Sequence, residues 1–224
     1  MGAIRGGLLL LLAASSMPLA AGSVSGRIEL FAEQRALRAE EAREAVVYFR
    51  PRSPVAVEPL AEVTVMTTRR KRFQPRTLAV TVGSRVRFPN EDPILHNVFS
   101  SSAGNAFDVG LLGVGEHGEV VFDRAGYVRI YCNVHHAMVG HLLVLDTPHF
   151  TRPDALGGFR LDGLPAGPGE LVVWHDRARP WRQQVDPGQA PAAIAVRMEL
   201  SQRRVPPHMN KFGRPYEAAP RSGY

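Results

Sequence analysis

The sequence predicts an all-β protein, a sandwich or barrel of short strands. Three observations predict it. The 224 residues include 21 glycines and 18 prolines, a turn-rich composition that disfavours long helices. From Ala61 onward, short apolar runs recur at close, regular spacing between turn signals. The one stretch of helix-favouring composition, "AEQRALRAEEARE" with opposite charges at helical spacing, is short enough to be a single helix or a polar connection.

The N-terminus reads as a secretion signal over residues 1–22. Arg5 supplies the positive charge, "LLLLL" the apolar centre, and "SSMPLAAG" the small residues for cleavage after Ala20, Ala21 or Gly22. The apolar run is too short to span a bilayer and is followed by Ser15, Ser16 and Pro18. No twin-arginine pair and no cysteine at the cleavage site occur, which disfavours folded export and lipid anchoring. A soluble chain in the periplasm, without an integral membrane segment after processing, is the expectation.

Along the mature chain, "SVSGRIELF" and "AVVYF" read as strands, the second buried. "EVTVM" is a strand. "TLAVTVGSRVRFPN" is two, joined at Gly83-Ser84 as a hairpin. "HNVFS", "FDVG", "GEVVF", "YVRIYC" and "HLLVL" follow. In "YVRIYC", Val128, Ile130 and Cys132 share the inward face, and Tyr127, Arg129 and Tyr131 the other. In "GHLLVL", Leu142 and Val144 face one way; His141, Leu143 and Leu145 face the other, with His141 towards solvent. The texture changes after Thr147-Pro148. "GGFRLDGLPAGPGELVVWH" reads as a hairpin and "AAIAVRMEL" as one more strand. From Ser201 the Pro-, Arg- and Gly-rich tail reads as extended or disordered.

The formal charge is +6, with Arg69, Arg70, Lys71 and Arg72 the densest cluster. Such a run marks a solvated face or turn. Outside the cytoplasm it favours an acidic protein partner or an anionic membrane over nucleic acid.

One cysteine, Cys132, stands in the whole chain. An exported protein normally pairs its cysteines. Here no internal disulfide is possible, which leaves a buried inert thiol, an intermolecular bridge or a metal ligand. The neighbours favour the metal. "YCNVHHAMVG" places His135 and Met138 at Cys-x2-His-x2-Met spacing, compact enough to wrap one ion. A thiolate, two imidazoles and a weak axial thioether are what an electron-transfer copper site wants. The second imidazole is assigned to His96, in "EDPILHNVFS". His136 is the competing loop histidine, but its spacing leaves little chain to reach Met138, so it reads as an exposed neighbour. His117, His149, His175 and His208 lack ligand-like company.

"YCNVHHAMVGHLLV" and "TVGSRVRFPNEDPILHNVFS" resemble the ligand loop and first-histidine strands of the cupredoxins, the blue copper proteins, with amicyanin-like spacing, over roughly residues 62–146. With "KRFQP", "FDVG" and "NKFGRPY", the pattern is similar to methylamine-utilisation-type exported cupredoxins. The resemblance implies a Greek-key β-sandwich and one mononuclear copper cycling between Cu(I) and Cu(II). By position it makes His96, Cys132 and His135 equatorial ligands and Met138 axial, with Asn97 tying the ligand segments together near the sulfur. The family's prolines before each ligand histidine are Leu95 and Val134 here. Val134 therefore keeps an N–H that proline lacks and could donate to the thiolate, so Val134→Pro is expected to lower the reduction potential. The resemblance also places the edge of His135 at the docking surface, ringed by Ala137, Met138 and Pro93. "GGFRLDGLPAGPGELVVWH" resembles the carboxypeptidase-regulatory-like, transthyretin-type β-sandwich, whose opening strands would be those at 23–30 and 45–49. That implies a second small sandwich from 23–60 and 147–200, a copper domain of 61–146 inserted within it, and a tail over 201–224.

These readings make the chain a monomeric periplasmic carrier of single electrons between a redox donor and acceptor, not an enzyme. Copper storage or delivery is the alternative, though the Met- or His-rich tracts that would favour it are missing. A copper enzyme subunit would need further histidine clusters, and a vestigial module would not keep a full ligand set. Methylamine utilisation is suggested by family naming alone.

Overall fold

Face-to-face stacking of four sheets shapes the molecule. The structure, a computed structural model, describes residues 22–189, 193–202, 205 and 207–216. The predicted signal peptide falls outside them except for Gly22. The outermost sheet has the order β15 (Gly158–Leu164), β1 (Gly22–Ala32), β18 (Ile194–Glu199), with the short β2 (Arg35–Ala36) on β1. The next has β14 (Phe150–Thr151), β3 (Val46–Pro51), β16 (Gly169–Trp174) and β17 (Trp181–Val185). The third runs β10 (Phe107–Leu112), β9 (His96–Ser100), β12 (Gly126–Tyr131), β13 (Val139–Leu145), β7 (Thr77–Thr81). The fourth is β11 (His117–Phe122), β8 (Ser84–Pro89), β4 (Thr64–Val65), and a hairpin of β5 (Thr67–Arg69) and β6 (Arg72–Gln74) lies apart. The helix-favouring stretch forms β2 and a 3₁₀ turn at Ala39–Glu44, and no described helix is long and apolar enough to cross a membrane.

Three apolar layers fill the gaps between the sheets. Val47, Phe49, Leu171 and Val173 pack against Ile28, Phe159 and Val196 of the outermost sheet. Val46, Tyr48, Val172 and Trp174, the alternate residues of the same strands, pack against Ala79, Leu143 and Leu145 of the third sheet. Leu78, Val80, Val128, Ile130, Leu142 and Val144 then face Val86, Phe88 and Phe122 of the fourth. A strand covered on both faces has no polar side to show, so "VVYF" and "HLLVL" are continuous apolar runs instead of alternating ones.

Three sequence expectations are corrected. Gly83-Ser84 is not a hairpin: β7 pairs in parallel with β13, whereas β8 pairs with β11 and β4 in another sheet. Gly83 turns the chain between sheets at φ +83°, a conformation that favours glycine, and Ser84 Oγ accepts from the amide of Leu60. Likewise, β15 pairs with β1 while β16 pairs with β3 and β17, so the Gly/Pro turn between them bridges two sheets. Finally, His141 is buried, 3% exposed, instead of facing solvent. Its face of β13 is turned towards the second sheet: the Tyr127 ring of neighbouring β12 stacks on it, Tyr127 Oη lies 2.6 Å from Nδ1, and Asp176, just beyond β16, places Oδ2 3.2 Å from Nε2. Asp176 also accepts from Arg76 at 2.9 Å and adjoins His175.

Candidate metal centre

The end of the third sheet nearest the β5–β6 hairpin collects the donor atoms. β9 and β12 are neighbours in that sheet, joined through Phe99 and Tyr131. His96 opens β9, and Cys132 directly follows the last residue of β12. The chain then turns sharply before re-entering the sheet as β13, and the amide of Met138 donates to the carbonyl of His135 at 2.9 Å, closing the loop. Alternation along β12 aims Cys132 inward with Val128 and Ile130, and all three are fully buried.

Three donors converge. Cys132 Sγ lies 3.7 Å from His96 Nδ1 and 3.9 Å from His135 Nδ1, and the two nitrogens are 3.2 Å apart. Metal–thiolate bonds of about 2.3 Å and metal–imidazole bonds of about 2.0 Å, at trigonal angles, span S···N edges of about 3.7 Å and an N···N edge of about 3.5 Å, each within about 0.3 Å of these separations. The triangle therefore fits one ion. The donor set, one thiolate and two imidazoles, matches a soft, redox-active metal better than a hard oxygen-seeking one. Met138 is 2% exposed and packs in the same core as Cys132. His136 is exposed and outside the triangle. Among the described residues, this is the one group of three or more His, Cys, Asp or Glu donors with metal-holding spacing.

The surroundings are built to hold these atoms still. Asn97, fully buried, donates from Nδ2 to Asp108 Oδ1 at 2.6 Å and to the carbonyl of Gly110 at 2.7 Å. A bulge in β10, with Gly110 at φ +80°, presents that carbonyl. The side chain of Asn97 thus anchors β9 to β10, and its backbone N–H is the group that reaches the sulfur, at 3.5 Å. The sequence allowed the Val134 N–H to donate to the thiolate and placed Asn97 near the sulfur; the N–H that reaches the sulfur is that of Asn97, because β9 runs alongside the end of β12.

Sequence reasoning missed Asp92 and Asn90. Asp92 Oδ2 lies 2.8 Å from His96 Nε2, and its carboxylate accepts from the amides of Arg70 at 2.5 Å and Lys71 at 2.8 Å. Arg70 and Lys71 both have φ 53°, so the tip of the cationic hairpin turns its N–H groups onto this one carboxylate. Burial works to raise the Asp92 pKa; the Lys71 and Arg70 amides and His96 outweigh it and hold it below the usual carboxylate range. Asn90 satisfies its whole amide, accepting from Thr68 Oγ1 and the Asp92 amide and donating to the carbonyls of Ile94 and Leu112. The signal was present as "N-x-D" ahead of His96, but nothing in the string says that a hairpin twenty residues upstream folds onto it.

His135 is half-buried, its pKa lowered by burial first and then by His96 and Lys71. Pro93 and Ala137 are exposed beside the site, with Leu95 at 54% and Val134 at 44% exposed; Met138, expected on this rim, is inside. His175 is buried beside Asp176, His117 is exposed, and His208 stacks on Tyr131. Over 207–216 the tail, expected to be extended or disordered, thus runs without helix or strand against the ligand loop.

No family model and no curated relative matches the chain. Solved structures do. A purple cupredoxin from Nitrosopumilus maritimus is 26% identical, over 37% of this chain and 99% of its own, at a TM-score of 0.34. A copper-containing nitrite reductase from Thermus scotoductus is 28% identical over 42% of this chain, which spans 25% of that enzyme, at a TM-score of 0.36. A reduced amicyanin variant is 21% identical over 44% of this chain and 98% of its own, at 0.36.

Proposed function

We propose that this chain is a type 1 copper protein, exported to the periplasm, that carries single electrons between redox partner proteins. The observation that carries the reading is the buried Cys132–His96–His135 triangle, with edges of 3.7, 3.9 and 3.2 Å and Met138 in the same core. When bound, copper supplies a one-electron couple between Cu(I) and Cu(II).

The chain's own part is to hold the donors in one arrangement for both oxidation states. Asp92 orients His96 through Nε2, which fixes the tautomer and leaves Nδ1 free to coordinate. Asn97 donates to the sulfur and ties β9 to β10. Burial of Cys132 excludes water and competing oxidants. His135 is the donor that approaches the surface, within an apolar rim of Leu95, Val134 and Ala137 and beside the cationic hairpin. A partner carrying acidic groups around an apolar centre would suit that face. We read the chain as a carrier and not as an enzyme. The sheets also suggest an insertion: β1 and β3 hydrogen-bond to strands after residue 149 and to β2, and the strands of 64–145 pair among themselves. The copper unit would then be held within a transthyretin-type sandwich.

The test is direct. Purified protein plus Cu(II) is expected to turn intensely blue or green, bleach with ascorbate, and lose the colour in Cys132→Ala. Electron self-exchange faster than copper exchange supports the carrier over copper delivery. A colourless Cu(II) complex refutes the reading.

A further inference from the structure

The C-terminal segment, which follows the last described strand, contacts the loop that carries Cys132, His135 and Met138 and is linked through Asp108 to the strand that carries His96. His208 stacks on Tyr131, the neighbour of Cys132, with ring centroids 3.9 Å apart and planes 9° from parallel. Tyr216 packs on His136, the neighbour of His135, at 3.4 Å, and meets His208 edge-on at 5.2 Å. Between these rings, the amide of Lys211 donates to Asn133 Oδ1 at 3.0 Å. These contacts hold the loop that carries Cys132, His135 and Met138.

The strand that carries His96 is reached through Lys211 Nζ, which lies 2.7 Å from Asp108 Oδ2. The opposite oxygen of that carboxylate accepts from Asn97, whose own N–H reaches Cys132 Sγ. Asn210 keeps the segment folded: its Oδ1 accepts from the amides of Phe212 and Arg214, and its backbone N–H donates to the Arg214 carbonyl. Burial follows the contacts. His208, Asn210, Lys211 and Tyr216 are half-buried, whereas Met209 and Phe212 are exposed. A disordered tail would show no such division.

We propose that residues 207–216 are a clasp that positions the two ligand-bearing segments and limits opening of the site, with Lys211, His208 and Tyr216 as its positioning residues. Cys132 is fully buried, so any reagent reaches its sulfur only when the loop opens. Removing the stacking rings frees the loop, and removing the Lys211 ammonium uncouples it from β9 and β10.

The test uses the full chain without metal and follows Cys132 alkylation by iodoacetamide. Lys211→Ala and the double variant His208→Ala/Tyr216→Ala are expected to react at least five-fold faster. Lys211→Arg and His208→Phe, which keep the charge and the ring, are expected to stay within two-fold of the parent. Denaturant titrations of each variant measure how much global stability changes. Alkylation rates within two-fold of the parent in both disruptive variants overturn the clasp, and so does an acceleration no larger than the measured change in global stability produces. In the copper-loaded protein, a Cu(I) chelator is expected to extract the metal faster from the same two variants. That second arm rests on the copper reading and the thiol arm does not, so a chain that binds no copper leaves the clasp decided by its alkylation rates.

Discussion

Asp92 shows how much a single side chain can add to a site without touching the metal. Asp92 is 6% exposed, and its carboxylate is held as an anion by hydrogen bonds from two backbone amides and one imidazole. The negative charge behind His96 strengthens that ring as a donor and favours the more positive oxidation state. Asp92→Asn keeps the shape and removes the charge, so the reduction potential is expected to rise by tens of millivolts, a tenfold change in a one-electron equilibrium being about 59 mV. Cyclic voltammetry of the copper-loaded variant checks it, and an unchanged or lower potential contradicts it. The convergence of Cys132, His135 and His96 was legible in the sequence because their chemistry is rare and two of them share one loop. Asp92 and Asn90 were not, because aspartate and asparagine in a turn are common and their partners come from the β5–β6 hairpin.

Among the elements, β3 and β13 are the most informative. Val46 and Val47 point to opposite faces of β3, and both are fully buried, Val46 towards the third sheet and Val47 towards the outermost one. In a two-layer sandwich one of them would meet water. Val46→Thr and Val47→Thr, which replace a methyl by a hydroxyl at nearly equal volume, are each expected to cost about 1–3 kcal/mol. Urea unfolding of both variants measures this; a neutral result at either position would mean that face is wet. The strand runs themselves were readable from apolar patterning, but their pairing was not. Gly83-Ser84 and the Gly/Pro turn after Leu164 carry ordinary hairpin chemistry, yet both connect different sheets. A turn motif specifies local backbone angles; which strand a segment pairs with depends on the apolar face that needs covering.

Across the whole molecule, the layer between the second and third sheets contains a buried polar cluster. Burial would raise the Asp176 pKa, but the hydrogen bond and charge of His141, the charge of His175 and Arg76 hold it well below the carboxylate range. His141 is lowered, mainly by burial, and His149 likewise. A histidine whose folded pKa is depressed binds fewer protons when folded than when unfolded, so stability falls as pH drops below about 6.5 towards the folded value. Asp176 works in a lower window: its contribution is present above about 3.9 and is lost only as pH falls through its depressed pKa. Thermal melting temperatures are therefore expected to decline between about pH 6.5 and pH 5, and His141→Phe is expected to flatten that decline. A variant as acid-sensitive as the parent would place the titrating group elsewhere.

Reading the string alone was enough for the all-β class, the order of most strands, and a compact Cys-x2-His-x2-Met loop with a partner histidine upstream. These follow from local chemistry: side-chain period, turn residues and donor type are properties of neighbours along the chain. The four-layer stack, the burial of His141, the Asp92 bridge to the cationic hairpin and the tail packed on the ligand loop emerged only in three dimensions. Each depends on segments far apart in sequence meeting to cover apolar surface and satisfy buried polar groups, and such meetings leave no periodic mark on either segment by itself.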